Sequence, residues 1–229
     1  IVDAVGGDAG LVAGLPLWVS IRAMIRAHVV AKSKGVGEGL PYLDRAEALL
    51  APPPPRLVAV GGLQGTGKSR LARALAPVLG AAPGALVLRS DEIRKRRAGR
   101  APEERLPAAA YAPEASAAVF AELDALAAEA LRGGHAVIAD AAFLREEERA
   151  AIEAARGAAP FTGLWLEAPL PVLRARIESR RGDASDADVA VLEAAAARGV
   201  GPLRWARLDA TADPTPMALR CLGLNGDRL

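Results

Sequence analysis

The segment from residue 62 to residue 69 constrains this chain more than any other. It reads Gly-Leu-Gln-Gly-Thr-Gly-Lys-Ser and matches the pattern G-x-x-x-x-G-K-[ST] at every fixed position. An apolar run at 57–60 precedes it and predicts a buried strand, and apolar residues at helical spacing follow it and predict a helix over 68–79. A glycine loop between a strand and a helix is the setting of a phosphate-binding loop. We therefore expect this chain to bind a nucleoside triphosphate.

The residue types in this loop suit that chemistry. Glycine allows a positive φ and lets backbone N–H groups approach phosphate oxygens, and the positive end of the following helix favours anions. Lys68 is expected to reach the β- and γ-phosphates, and the Ser69 hydroxyl is expected to hold Mg²⁺. A glycine-rich turn without a ligand is the alternative, which the flanking elements disfavour. The residues predicted to bind ATP here are Gly62, Gly65, Thr66, Gly67, Lys68, Ser69 and Arg70.

Composition bounds the class of protein. A length of 229 residues suits one α/β domain with an appendage, and 52% hydrophobic with 24% charged residues is globular. A net charge of +2 and 3% aromatic residues argue against a nucleic-acid partner. The single cysteine, Cys221, fits a reducing cytoplasm. The apolar stretch at 11–30 contains Arg22 and Arg26, which are costly in a bilayer, so no membrane contact is expected.

The first 50 residues predict a helical appendage. Pro16 suits the first turn of an amphipathic helix at 15–31, and a second short helix is predicted at 42–50. The chain begins at Ile1 rather than Met, so we expect a fragment whose apolar helix face packs on the rest of the chain or on a missing part. Four prolines then mark a stiff boundary. The predicted organisation is a helical segment at 1–50, a proline linker at 51–55 and a nucleotide-binding domain at 56–229. The apolar face consists of Leu17, Ile21, Met24, Ile25 and Val29.

From Arg56 onward strand and helix patterns alternate, which predicts an α/β domain with a parallel sheet covered by helices. The predicted strands are 57–61, 85–89, 136–140, 163–166 and 203–208. The predicted helices are 68–79, 92–97, 113–132, 146–156, 171–181 and 186–198.

Asp91 and Arg94 follow the second predicted strand. Ligands gather at the carboxyl ends of parallel strands, so Asp91 is expected beside the phosphate loop. A carboxylate there can accept the proton of an attacking hydroxyl, and Arg94 can orient that carboxylate or hold an anionic acceptor. Alternatively, Ser90 or Asp91 caps the next helix.

Asp140 ends the third predicted strand. There it can hold a Mg²⁺-bound water or pair with Arg94, or it can cap the following segment. Ser69 and Asp140 are accordingly the predicted metal-binding residues.

Two arginines four residues apart, Arg176 and Arg180, share one face of a predicted helix and precede a polar loop. Arginines in this position stabilise charge on a transferring phosphoryl group. A solvated helix face paired with Glu178 is the alternative, and the sequence does not choose among Arg176, Arg180 and Arg181.

These motifs, in this order, resemble those of small P-loop kinases such as polynucleotide 5′-kinase, gluconate kinase, chloramphenicol phosphotransferase and zeta toxin. Residues 56–210 are also similar to the AAA-family ATP-binding domain of bacterial two-part aminoglycoside phosphotransferase/ATP-binding proteins, and residues 16–50 resemble the last helices of their first half. The resemblance implies a P-loop NTPase three-layer fold with a five-stranded parallel sheet in the order 2-3-1-4-5 and a mobile lid near 176–186. It also matches Asp91 to the acid that activates the acceptor, Arg94 to its neighbour and Arg180 to a lid arginine.

Three functions follow from these observations. The leading one is a kinase that transfers the γ-phosphoryl group of ATP, with Mg²⁺, to a hydroxyl of a small molecule in a pocket lined by Arg94, Arg97 and the loop 106–111. The second is a regulatory module that hydrolyses ATP slowly and signals to a phosphotransferase-like domain outside this chain. The third is a polynucleotide 5′-kinase, suggested by the basic residues at 94–97 with Arg100.

Overall fold

The computed structural model of this protein describes residues 13–102, 104–179, 186 and 188–224. Arg180 and Arg181, with most of the predicted lid, lie outside these ranges.

Two helices, α1 (Leu15–Lys34) and α2 (Val36–Leu50), form an N-terminal hairpin joined at Gly35, whose φ is +103°. The interior of the hairpin is built from small residues. The Ser20 hydroxyl donates to the Ala46 carbonyl at 2.8 Å, and a Cβ at Gly39 would meet the Ala27 carbonyl at 2.7 Å. The helices therefore approach closely. The second helix begins six residues before its predicted start and contains Pro41 in its interior.

Most of the large apolar side chains of the hairpin are exposed, whereas Val30 and Leu49 are buried. The predicted apolar face of α1 is exposed, with Leu17 52% and Ile25 61% accessible, so it does not pack on the described part of this chain, and the alternative of a partner outside this chain stays a prediction. The reason is that small residues already fill the contact between the two helices. The exposed large apolar residues of the hairpin are Leu17, Trp18, Ile21, Met24, Ile25, Val29, Val36, Leu40, Tyr42, Leu43 and Leu50.

Five parallel strands form one sheet in the order β2-β3-β1-β4-β5, which confirms the predicted fold class. Every residue of β1 is buried because helices cover both faces of the sheet. Asp140 lies in register with Val60 on one side and Arg89 on the other. The strands are β1 (Leu57–Gly62), β2 (Leu86–Arg89), β3 (Val137–Asp140), β4 (Phe161–Glu167) and β5 (Ala206–Asp209).

Within the described ranges, seven further helices surround the sheet. One core cluster packs α5 and α6 on one face, and a second packs α3 and α9 on the other. These helices are α3 (Lys68–Leu75), α4 (Ser90–Arg97), α5 (Pro113–Arg132), α6 (Glu146–Ala155), α7 (Leu170–Ser179), α8 (Val189–Arg198) and α9 (Thr215–Cys221). Short 3₁₀ turns occupy Ala76–Val78 and Ala108–Tyr111. Among the described residues, no helix combines the length and apolar character needed to cross a membrane.

Candidate active site

The phosphate loop connects β1 to α3, and its glycines have positive φ values: +141° at Gly62, +82° at Gly65 and +88° at Gly67. A Cβ at Gly62 would meet the Leu166 carbonyl at 2.6 Å, and one at Gly65 would meet the Leu173 carbonyl at 2.8 Å. At Gly67 a Cβ would meet nothing within 4 Å. The backbone thus packs tightly on one side and is open on the side where phosphates would lie.

Lys68 and Thr66 hold the loop in this shape. The Lys68 ammonium donates to the carbonyls of Gly62 at 2.9 Å and Leu63 at 3.0 Å, which brings its charge back over the loop. The buried Thr66 hydroxyl donates to the Leu63 carbonyl at 2.7 Å. The side chain of Thr66 therefore supports the loop, and a ligand would meet this residue through its backbone.

Ser69 and Asp140 lie together at the carboxyl end of β3. The Ser69 hydroxyl donates to Asp140 Oδ2 at 2.5 Å, and Arg89 Nε approaches the same oxygen at 3.3 Å. Asp140 is 4% exposed. Adjacent hydroxyl and carboxylate oxygens are the donors that Mg²⁺ prefers, so these residues fit the predicted ion.

The predicted pairing of Asp140 with Arg94 is wrong, and Arg89 occupies that place. The physical reason is register, because Arg89 and Asp140 are partners on neighbouring parallel strands. The sequence carried this signal, a basic residue ending one strand and an acid ending the next, but the strand order was needed to interpret it.

Asp91 lies in the first turn of α4, and the residue at the N-cap position is Arg89. Neither Ser90 nor Asp91 occupies the cap, so the capping alternative is not what the structure shows. Asp91 and Arg94 line a cavity of about 420 Å³ that Lys68 and Ser69 also line. The carboxylate and the phosphate loop therefore line the same partly open cleft.

Arg94 forms the wall of this cavity together with Tyr111. Its Nη1 donates to the Ala110 carbonyl at 2.6 Å and to the Ser116 hydroxyl at 3.3 Å, and its guanidinium carbon lies 4.8 Å from the centre of the Tyr111 ring. Burial, followed by a hydrogen bond to Asp186, raises the pKa of Tyr111 well above its ordinary value. This wall is consequently neutral at Tyr111 and cationic at Arg94.

Arg176 extends from α7 to the phosphate loop, where its Nη1 lies 3.5 Å from the Gly65 carbonyl. Arg70 and Arg176 also line a second depression of about 310 Å³, which the segment after β5 completes with Ala210, Asp213 and Pro214. Arg180, the other predicted arginine, lies outside the described residues.

The sequence motifs missed part of the cavity wall, and the prediction that Arg97 lines the acceptor pocket is also wrong. Phe120 and Asp186 also line the cavity. No motif in the sequence indicated Phe120, and Asp186 was predicted as the last residue of the lid, with no role of its own. Arg97 does not line the cavity, because its Nη1 pairs with Glu122 on α5 at 2.7 Å. Three more cations of the predicted basic patch are paired with carboxylates, Arg96 with Glu122, Arg100 with Glu104 and Lys95 with Asp186, whereas Arg94 donates to the Ala110 carbonyl.

The five-stranded sheet, the phosphate loop and the cavity at the carboxyl ends of the strands define the fold of a P-loop kinase. The family model of an AAA domain matches residues 57–202. The chain belongs to this AAA domain family.

An uncharacterized protein of Mycobacterium tuberculosis strain H37Rv is 30% identical to this chain over 204 residues. The match covers 84% of this chain and 40% of that protein, so the chain spans about two-fifths of the length of this relative.

Two solved structures show the same fold at low identity. A gluconokinase from Sinorhizobium meliloti is 20% identical, with a TM-score of 0.52 over 74% of this chain and 92% of that chain. Chaetomium thermophilum Kti12 in complex with ADP-AlF3 is 18% identical, with a TM-score of 0.52 over 73% of this chain and 96% of that chain. The resemblance to P-loop kinases is thereby confirmed for the fold.

Proposed function

We propose that this protein is an ATP-dependent kinase that phosphorylates a hydroxyl group of a small molecule. The observation that carries the proposal is the shared cavity: Asp91 and Arg94 face the same space of about 420 Å³ as Lys68 and Ser69. In the reaction, the acceptor oxygen forms a bond to the γ-phosphorus while the bond from phosphorus to the β,γ-bridging oxygen breaks. ADP leaves with the electron pair, and the hydroxyl proton passes to the Asp91 carboxylate.

The residues at the loop bind and stabilise the phosphates. Lys68 and Arg176 are placed to offset negative charge on the transferring group, and backbone N–H groups at the start of α3 hold the chain of phosphates. Ser69 and Asp140 would hold Mg²⁺, which would neutralise phosphate charge. Arg180 stays a predicted lid arginine. The depression between Arg70 and the segment after β5 is the proposed place for the base and ribose, since it adjoins the phosphate loop.

A small acceptor is favoured over a polynucleotide. Four of the five cations that suggested a nucleic-acid surface, Lys95, Arg96, Arg97 and Arg100, each pair with a carboxylate, and the fifth, Arg94, donates to the Ala110 carbonyl and lies against the Tyr111 ring. Cationic side chains bind a nucleic-acid backbone by neutralising its phosphates and releasing the counterions condensed on it. Cations that are already paired with carboxylates do this poorly. A cytoplasmic location is part of the same proposal.

The test is transfer of radiolabelled phosphate from γ-³²P-ATP to a panel of small hydroxy compounds, with Asp91→Asn as the diagnostic variant. A general base contributes about 10²- to 10⁴-fold, so we expect the variant to lose that much acceptor-dependent turnover while its affinity for Mg-ATP stays within about twofold. Asp44→Asn, on the exposed surface of α2, is the matched control and should transfer like the wild type. Equal transfer by Asp91→Asn and the wild type would contradict the role of this carboxylate.

A second candidate function is a nucleotide-binding regulatory module, and the exposed hairpin favours it. Apolar patches of this extent mark interaction surfaces. We assign the face to one occupant, a further domain of the same polypeptide, because the M. tuberculosis relative extends well beyond the match. The phosphotransferase-like character of that domain stays a prediction, as do the domain bounds at 1–50, 51–55 and 56–229.

Charge argues against packing of α1 on α1 of a second copy of this chain. Helix α1 carries Arg22, Arg26, Lys32 and Lys34 and no acidic residue. Packing α1 against α1 would bring like charges together, whereas a domain with an acidic rim around an apolar groove would complement it.

The docking test mixes this chain with the part of the M. tuberculosis relative outside the match, produced as a separate polypeptide. Sedimentation velocity should show a 1:1 complex for the wild type and for the control Glu47→Ser, and none for the double variant Ile21→Ser/Ile25→Ser. A homodimer of this chain that the double variant abolishes, or equal association of the double variant, would contradict this assignment.

A further inference from the structure

Asp186 connects two parts of the molecule that are distant in sequence. It lies between α7 and α8 in the chain, and its described contacts are with α4 and with the segment between α4 and α5. Its Oδ2 accepts from the Tyr111 hydroxyl at 2.7 Å and from the Leu106 backbone N–H at 2.9 Å. Its Oδ1 accepts from the Lys95 ammonium at 3.1 Å. Three donors therefore fix one carboxylate.

The lysine in this group is buried. Lys95 is 1% exposed, and its ammonium also donates to the Pro102 carbonyl at 2.7 Å. Burying an ammonium is costly unless it is paired and hydrogen-bonded, and Asp186 supplies the opposite charge. Burial pushes the pKa of Asp186 upward, but hydrogen bonds from Tyr111, Leu106 and Lys95 outweigh it and hold that pKa below its usual value. The carboxylate is thus kept ionised for its partners.

The contacts of Asp186 lead to the acceptor wall through Tyr111. The Tyr111 ring lies against the Arg94 guanidinium at 4.8 Å, and the preceding carbonyl, Ala110, accepts from Arg94 at 2.6 Å. Arg94 is three residues from Asp91 on the same short helix. A substitution at Asp186 would consequently alter the surroundings of Arg94 and Asp91, the two residues that the proposed reaction needs on the acceptor side.

We propose that Asp186 is a positioning residue for the acceptor side of the site: it fixes Tyr111 and, through Tyr111, the orientation of Arg94. This proposal rests on the proposed kinase function. Asp186 acts on the acceptor wall and leaves the phosphate loop as it is, because its described partners belong to α4 and to the segment between α4 and α5, and none of them to residues 62–69. It therefore affects turnover rather than binding of the nucleotide.

The experiment uses the 229-residue chain with Mg-ATP and with water as the acceptor. Turnover, the KM for Mg-ATP and the calorimetric Kd are measured for the wild type, Asp186→Asn, Tyr111→Phe and the double variant. Asp188→Asn is the matched control, since this exposed carboxylate two residues away caps α8 by accepting from the Val191 N–H at 3.0 Å. Thermal unfolding of each variant separates a loss of fold from a loss of positioning.

We expect Asp186→Asn to lose about tenfold or more in kcat with KM and Kd for Mg-ATP within twofold, because small misplacements of catalytic groups cost this much. Tyr111→Phe should lose several-fold, and the double variant should be no slower than Asp186→Asn, since both changes interrupt one connection. Asp188→Asn should turn over like the wild type. If the role of Asp186 were only structural, kcat would fall in Asp186→Asn and in Asp188→Asn in proportion to the loss of unfolding temperature in each variant.

Normal turnover in Asp186→Asn, additive losses in the double variant, or a weaker Kd for Mg-ATP in Asp186→Asn would each overturn the proposal. Failure of the kinase function gives a different result: the wild type itself would then bind Mg-ATP and show no turnover with water or with any hydroxy compound, which would remove the basis of both proposals.

Discussion

Asp91 and Asp140 both lie at the carboxyl edge of the sheet, yet their surroundings differ. Asp140 accepts hydrogen bonds from Ser69 and Arg89 and is almost fully buried, which suits a residue that holds a cation beside the phosphates. Asp91 lies one strand further out, in the cavity wall with Arg94 and Tyr111. This separation places the proposed base on the acceptor side and the proposed metal ligand on the nucleotide side.

Asp124 on α5 gives a pH-dependent prediction at the residue scale. Burial, and then the nearby charge of Glu148, raises its pKa to about 6, and its Oδ1 has no hydrogen-bond partner within the described ranges. Because the folded pKa exceeds the unfolded value, the folded state favours the protonated form. The stability from this group is fully present below about pH 4 and is lost as pH rises through about 6.

Asp124→Asn should therefore be more stable than the wild type at pH 8, by on the order of 1 kcal/mol because the group is partly exposed and screened, and equal to it at pH 4. Differential scanning calorimetry at both values measures this. A stability difference that is independent of pH, or a variant that is less stable at pH 8, would show that ionisation of Asp124 does not destabilise the folded state.

The sequence predicted the nucleotide side of the site well and the acceptor side poorly. The loop residues and Ser69 are local in sequence, so one motif specifies their arrangement. Asp140 was predicted from the strand that it ends, but its partner Arg89 required the order of strands. Phe120 and Asp186 reach the cavity through tertiary packing of segments far apart in the chain. The resemblance placed residue 186 in a lid, but no local pattern predicted the contacts of either residue.

At the scale of elements, the predicted helix α5 has the observed bounds, while α3 and α8 are shorter than predicted. Helix α3 ends at Leu75 because Pro77 lies two residues on and the chain turns into a 3₁₀ turn. Helix α8 begins at Val189 because the Asp188 carboxylate caps it, whereas the prediction began at 186. Helix α9 had no predicted counterpart, since seven residues carry too little periodicity.

Helix α6 is attached to its surroundings by Arg149, which predicts a large effect of one substitution. This buried guanidinium donates to four backbone carbonyls, those of Phe143, Leu144, Val200 and Pro202, at 2.7–3.1 Å. Arg149→Met should lower the free energy of unfolding by about 2–4 kcal/mol, because buried acceptors lose their donors. Urea denaturation measures the change. The exposed Arg156→Met at the end of α6 is the control, and equal stability of the two variants would contradict this role.

At the scale of the whole molecule, a nucleotide-binding α/β unit is preceded by a helical hairpin whose apolar face is exposed. The two parts differ in how their sequences relate to their structures. In the sheet, apolar residues predict the core and are buried there, as at Leu57 and Val60. In the hairpin, the same reasoning predicted a buried face, and Ile21 and Ile25 are exposed because small residues fill the helix contact. We therefore assign nucleotide binding to the α/β unit and propose that a further domain covers the exposed face of the hairpin.

The central claim is that residues 62–69 bind the phosphates of ATP, and isothermal titration calorimetry with Mg-ATP tests it most directly. We predict one binding site for the wild type and for the control Arg132→Met, which changes an exposed cation at the end of α5. Lys68→Met should bind at least about tenfold more weakly, because a hydrogen bond to a charged group contributes roughly 1.5–3 kcal/mol. No binding by the wild type, or equal affinity of Lys68→Met and the wild type, would contradict the claim.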